Sequence, residues 1–222
     1  MHLGFMVPNR AAIALVIKSP DAKGSTFFPK NTLWMIRIQF EQPHMAPPDV
    51  TNLTPLPNPR RVVTANNAST GIGEVLFNDA PQTTIGFNGI LREAAIWTTS
   101  QSPADNSSRE DAALKPVEGL VSLGGTNCRV TDLGPGQASP MHRTNSIDYN
   151  IIISGRAVHV LEDGSEQEVG PGDVVVQRGT NHRWENRTND WVRWVSVLVE
   201  ATPVEVNGKV LGPYTEGVDE HP

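Results

Sequence analysis

With 19 glycines, 18 prolines and a charged fraction of 19% in 222 residues, the chain has the profile of many short strands joined by turns rather than of a helical bundle. That length suits one domain with a substantial core. The formal net charge of -6 argues against nucleic acid as a partner, because such binding draws its affinity from clustered Lys and Arg neutralising phosphates. A single cysteine, Cys128, excludes an internal disulfide and a cysteine-based zinc site, and suits a reducing, cytoplasmic compartment.

Residues 1–40 carry five basic side chains (Arg10, Lys18, Lys23, Lys30, Arg37) against one acid, Asp21, so this stretch is +4 and the remainder -10. Its longest apolar run, residues 11–17, falls far short of the ~20 residues a membrane span requires. Neither a signal peptide nor a mitochondrial presequence is well matched. Residues 1–45 read as a basic extension that function does not need, with Met45 as an alternative start.

Residues 46–125 read as a proline-rich linker (Pro47, Pro48, Pro55, Pro57, Pro59) followed by accessory strands that pack on the domain, predicted at 61–64, 74–77 and 91–98. Residues 100–118 are polar and punctuated by proline, which predicts an exposed loop with one helical turn at 112–115, read first as a plain connection and second as a lid. Asn-x-Ser/Thr triplets at Asn52, Asn67, Asn106 and Asn186 arise readily by chance in a chain rich in those residues.

The core is expected in residues 126–201, where apolar and polar positions alternate through 128–133, 146–153, 157–162, 167–169, 174–177 and 191–200. Ser154-Gly155, Asp163-Gly164 and Asn189-Asp190 mark turns, and Asp163-Gly164 is the strongest hairpin signal. Residues 202–222 form a turn-rich tail.

Within this core, Gly136, His142, Thr144, Asp148 and Gly155 are spaced as G-x5-H-x-T-x3-D-x6-G, and Gly172, Gly179, His182 and Asn186 follow. Strand side chains alternate faces, so positions 142, 144 and 148 share one parity and are aimed at one cavity. A second strand supplies His182, with Trp184 and Asn186 on its parity if the strand runs on unbroken. The cluster has the residue types that a metal or an acid–base reaction needs.

This two-part pattern resembles the paired motifs of the cupin superfamily, an all-β fold built on a single jelly-roll antiparallel barrel. The usual first motif reads G-x5-H-x-H-x3or4-E-x6-G, so Thr144 stands where a second histidine is common and Asp148 where glutamate is. The second motif is one residue short before His182 and lacks its proline. The stretches 141–149 and 172–187 are similar to single-domain cupins of fungi and bacteria, some of which belong to polyketide clusters and are described as oxidoreductases. The resemblance implies an enzyme acting on a small polyketide-like metabolite, and a homodimer.

With Thr144 in place of histidine, what remains is His142, His182 and Asp148, the ligand types of a two-histidine, one-carboxylate iron centre. That predicts a metal-dependent oxidoreductase holding Fe, Mn, Ni or Zn, with no nucleotide cofactor. The same three residues also suit metal-free acid–base catalysis by a dehydratase, isomerase, decarboxylase or cyclase, since a desolvated aspartate has a raised pKa. A non-catalytic barrel that binds a small molecule is the third reading. In each, Thr144, Asn150 and Trp184 line the substrate pocket. Trp191 and Trp194 are expected in the core or at a subunit contact, Arg143 to face outward, and His159 to play no part.

Overall fold

The computed structural model describes residues 55–86 and 89–218, and regular structure within them is almost wholly β. The extension read at residues 1–45 lies outside the described residues. The strands are β1 (Arg61–Asn66), β2 (Gly73–Asp79), β3 (Thr84–Gly86), β4 (Leu91–Thr99), β5 (Thr126–Leu133), β6 (His142–Arg143), β7 (Ser146–Ser154) and β8 (Ala157–Leu161). They continue as β9 (Glu166–Val169), β10 (Val174–Arg178), β11 (His182–Glu185), β12 (Val192–Glu200), β13 (Val204–Val206), β14 (Lys209–Leu211) and β15 (Tyr214–Thr215). A 3-10 turn, Ala112–Leu114, is capped by the Asp111 side chain and falls inside the loop where one helical turn was expected.

Two antiparallel sheets carry the fold, one ordered β10-β7-β12-β5-β4-β3 and the other β15-β6-β11-β8-β9. The strictly alternating burial along β7 and β12 explains why these segments are strands: one face must enter a core and the other need not. Leu91, Leu133, Ile152, Ala157, Val169, Trp184, Val192 and Trp194 come from both sheets and form that core.

Gly155 lies in the turn between β7 and β8 at a φ of +75°, and a Cβ there would run into the Trp191 carbonyl, so the turn can press against β12 only as glycine. The Asp163-Gly164 turn joins β8 to β9, with the Asp163 carboxylate accepting from the Ser165 amide.

On the outer face of the six-stranded sheet, the fully buried Asp132 carboxylate is bound by Arg92 and Arg193. The same guanidiniums donate to the Leu56 and Pro57 carbonyls. The proline-rich stretch is thus fixed to the barrel at residues 56 and 57 by charge-assisted hydrogen bonds and does not swing as a spacer there. Among the described residues no helix is long and apolar enough to cross a membrane.

Candidate active site

His142 and His182 are direct register partners where β6 pairs with β11, and their ring centroids are 4.3 Å apart. Each ring is pinned by its own backbone two residues back. His142 Nδ1 lies 2.9 Å from the Pro140 carbonyl and His182 Nδ1 lies 3.1 Å from the Thr180 carbonyl. A carbonyl only accepts, so Nδ1 carries the proton in both rings and the neutral imidazole keeps its lone pair on Nε2.

Both rings are held neutral. Burial pushes His182 down to about 3, helped by its proximity to His142, against a smaller upward pull from the Thr180 carbonyl. His142 is lowered by burial as well, opposed by the Pro140 carbonyl.

Asp148 enters the same cavity from β7, on the opposite sheet. Burial raises its carboxyl to about 6, and the Ser146 hydroxyl, 2.5 Å away, holds it down in part. Ser146 Oγ also lies 2.8 Å from Thr144 Oγ1. Three oxygens therefore run in line from the buried carboxyl to Thr144.

The inner cavity is small, about 50 Å³, and is walled by His142, His182 and Trp184 on one side and by Asp148, Asn150 and Ser196 on the other. It meets a far larger mouth of about 950 Å³ lined by residues of 116–123 and by Pro203, Pro213 and Thr215. Leu120, His142 and Thr144 line both spaces and so form the neck. Of the loop 100–118, expected first as a plain connection, residues 116–118 border the mouth.

All six residues expected at the site thus line the inner cavity: His142, Asp148, His182, Thr144, Asn150 and Trp184. Trp184 is 3% exposed and stacks on Trp194, with centroids 5.2 Å apart. Asn186 departs from its expected parity because β11 ends at Glu185. Its amide donates instead to the Leu133 and Asp190 carbonyls, tying the turn before β12. Being 1% exposed and so engaged, it is no glycan acceptor in the folded chain.

Arg143 pairs with Glu162 at the mouth, and Arg183 with Glu185. His159, for which no part was expected, stands behind His182 with centroids 5.3 Å apart. It bonds across the barrel to Gln177 Oε1 at 2.7 Å. Because the Gln177 amide nitrogen donates to Thr180, its oxygen accepts, and the His159 proton sits on Nε2.

Among the described residues no three His, Cys, Asp or Glu side chains form a group able to hold a metal ion. The two imidazoles are anchored as ligands usually are, but the Asp148 carboxylate is engaged by Ser146 and is one methylene shorter than glutamate.

A model described as "Cupin domain" matches residues 129–198. The chain is 39% identical over 171 residues to phomopsin biosynthesis cluster protein D of Diaporthe leptostromiformis, covering 72% of this chain and 88% of that protein. This chain is a cupin. A cupin-domain-containing oxidoreductase, fogC of Aspergillus ruber, is 37% identical over 54% of the chain and 61% of its own length. Among solved structures, a Cupin 2 conserved barrel domain protein from Salinispora arenicola aligns at 21% identity and a TM-score of 0.38, covering 54% of this chain and 82% of that one.

Motif spacing alone finds the two histidines and the aspartate of this cupin. It misses Arg129, Glu93 and Ser196, which also line the cavity. Their one sequence signal is polarity on the inward parity of β4, β5 and β12, where a core would otherwise take apolar residues.

Proposed function

We propose that the chain is an enzyme of secondary-metabolite biosynthesis that acts on a small, polyketide-like organic molecule by proton transfer at Asp148. The observation that carries this reading is the Asp148 carboxyl, pushed up to about 6 in a cavity shared with two neutral imidazoles. Near neutral pH such a group is available both as base and as acid, which dehydration, isomerisation or cyclisation requires. The biosynthesis-cluster names of the relatives support the setting.

Ionised Asp148 accepts the substrate proton. The Ser146 and Thr144 hydroxyls form a path by which that proton reaches the mouth. His142 and His182 present Nε2 as acceptors for a hydroxyl or a departing proton on the other side of the cavity. The 950 Å³ mouth takes the body of the molecule while the inner cavity takes only its reacting end.

A second reading, a metal-dependent oxidoreductase, is supported by the name of the Aspergillus ruber relative and by the backbone anchoring of both Nδ1 atoms. Metal analysis combined with chelation separates the two. Turnover that survives removal of metal and is lost in Asp148→Asn is the expected result. Stoichiometric metal that disappears together with activity in His182→Ala overturns it in favour of the oxidoreductase. A bound molecule recovered unchanged after long incubation with active-concentration protein reduces the barrel to a binder.

We also infer a homodimer. The outer face of β7 and β10 presents Tyr149, Ile153, Val174 and Val176, each 44% to 55% exposed. On a chain of net charge -6, an uncharged patch is where a second copy meets it without like-charge repulsion.

A further inference from the structure

Three residues on adjacent strands form one polar row across the six-stranded sheet: Asn150 on β7 pairs with Ser196 on β12, which pairs with Arg129 on β5. All three line the inner cavity, facing the sheet that carries the histidines. On β12 the row is bracketed by Trp194 and Leu198, so an apolar strip flanks it on both sides.

Two donors in this row lack an acceptor within the protein. Asn150 is 3% exposed. Its Oδ1 accepts from Ser196 Oγ at 2.6 Å, but Nδ2 is buried without a partner. Arg129 places one guanidinium nitrogen 2.6 Å from Glu93, while its Nε is likewise buried without a partner. A buried donor left unmatched is unfavourable, so two in one row are a site for an acceptor supplied from outside.

The charge of the surroundings narrows what that acceptor is. Glu93 offsets Arg129, and Asp148 adds a negative charge when ionised, so an anionic group is repelled where an uncharged oxygen is not. The small inner volume admits a group of a few heavy atoms, with the carbon skeleton left against the tryptophans and in the mouth.

We propose that Arg129, Ser196 and Asn150 form a carbonyl-binding row, and that the substrate is an uncharged ketone or aldehyde bearing a hydrogen on the neighbouring carbon. The proposal rests on the acid–base reading of Asp148. Same-face neighbours on a strand are about 6.8 Å apart, so a carbonyl oxygen at Asn150 sets the adjacent C–H within reach of Asp148. The C–H bond breaks, its proton goes to the Asp148 carboxylate, and the electron pair moves onto the carbonyl oxygen. The enolate so formed is held by the Arg129 Nε–H and the Asn150 Nδ2–H. Return of the proton at another position, or loss of a leaving group from the next carbon, completes an isomerisation or an elimination without any oxidant.

The test uses acetophenone, 1-phenylethanol and benzoate as probes, with binding read from tryptophan fluorescence and exchange of the acetophenone methyl protons in D2O read by NMR. Acetophenone is expected to bind better than either of the others. Asn150→Ala, which removes the donor without adding bulk, is expected to weaken it about tenfold, the worth of one buried hydrogen bond. The double variant Arg129→Gln with Glu93→Gln gives a similar loss without stranding a charge. Thermal melts confirm that each variant folds.

Benzoate binding more tightly than acetophenone, or acetophenone affinity unmoved in both folded variants, overturns the carbonyl row. Exchange that persists in wild type and vanishes in Asp148→Asn upholds the acid–base reading whichever way the row turns out. Row-dependent binding with no exchange at all overturns that reading and leaves the carbonyl site standing.

Discussion

His142 and His182 face one another across the β6–β11 pairing with ring centroids 4.3 Å apart, so protonating either one charges the space beside the other. In the folded barrel His182 stays neutral down to about 3, whereas in the unfolded chain it takes a proton near its ordinary value of 6.5. The unfolded state therefore binds more protons between those values. The stability contributed by neutral His182 is full above 6.5 and is lost as the pH falls toward 3.

Urea denaturation at a series of pH values checks this. The unfolding free energy is expected to fall below pH 6.5 by about 1.4 kcal/mol per pH unit for His182 alone. His142 and His159, both lowered by burial, add in the same direction. In His182→Asn the slope decreases by one proton; an unchanged slope would mean that His182 is not held neutral by the fold.

Asp148 works with the opposite sign. Its folded carboxyl keeps its proton up to about 6 while the unfolded one releases it near 3.8, so the folded state binds more protons in that window. Ionisation of Asp148 then costs stability as the pH rises, roughly 3 kcal/mol once it is complete. Asp148→Asn is expected to stabilise the protein at pH 7.5 and to leave it unchanged at pH 3.5. The same variant is expected to lose about 10²- to 10⁴-fold in turnover, and the wild-type rate to rise with pH to a plateau above about 6, as a carboxylate base requires. A stabilised variant with undiminished turnover would separate Asp148 from the chemistry.

His142, Thr144 and Asp148 are legible from motif spacing, although one-strand parity is not what joins them: His142 lies on β6, Asp148 on β7 of the opposite sheet and Thr144 in the link between, and all three still line one cavity. Parity also fails for Asn186, because β11 stops one residue short of it. Parity also says nothing of side-chain torsions, which decide that the Asp148 carboxylate accepts from Ser146.

The polar row is illegible for a different reason. Asn150 and Ser196 are 46 residues apart, and only the β7–β12 register brings them together. His159 likewise meets His182 through the pairing of β8 with β11. The arginines that donate to the Leu56 and Pro57 carbonyls are held in place by Asp132, whose position on the outer face no linear pattern foretells.

The apolar rows outside β7 predict the assembly. Val174 pairs with Ile151 and then Val195, and Val176 pairs with Tyr149 and then Val197, giving two parallel apolar ridges. If these meet a second copy, Val176→Lys or Tyr149→Lys converts the dimer to monomer, because each lysine meets its symmetry mate or an apolar surface across a two-fold contact. Sedimentation velocity measures this. A wild type that sediments as a monomer at tens of micromolar excludes the contact.

Access to the inner cavity is governed by Leu120, which with His142 and Thr144 separates it from the mouth. The loop holding Leu120 is tied down by the Asn127 side chain, which donates to the Leu120 carbonyl at 2.9 Å, and by Ser122, whose hydroxyl donates to the Thr99 carbonyl at 2.7 Å. Leu120 is only half-buried, so enlarging it disturbs the core little. Leu120→Trp is therefore expected to raise KM about tenfold or more for a ring-bearing substrate while shifting the melting temperature by no more than a few degrees. Asn127→Ala loosens the neck without filling it, so it lowers discrimination between large and small substrates while leaving the Asp148 pH profile in place. Equal losses for large and small substrates in Leu120→Trp would mean that substrate reaches Asp148 by another route.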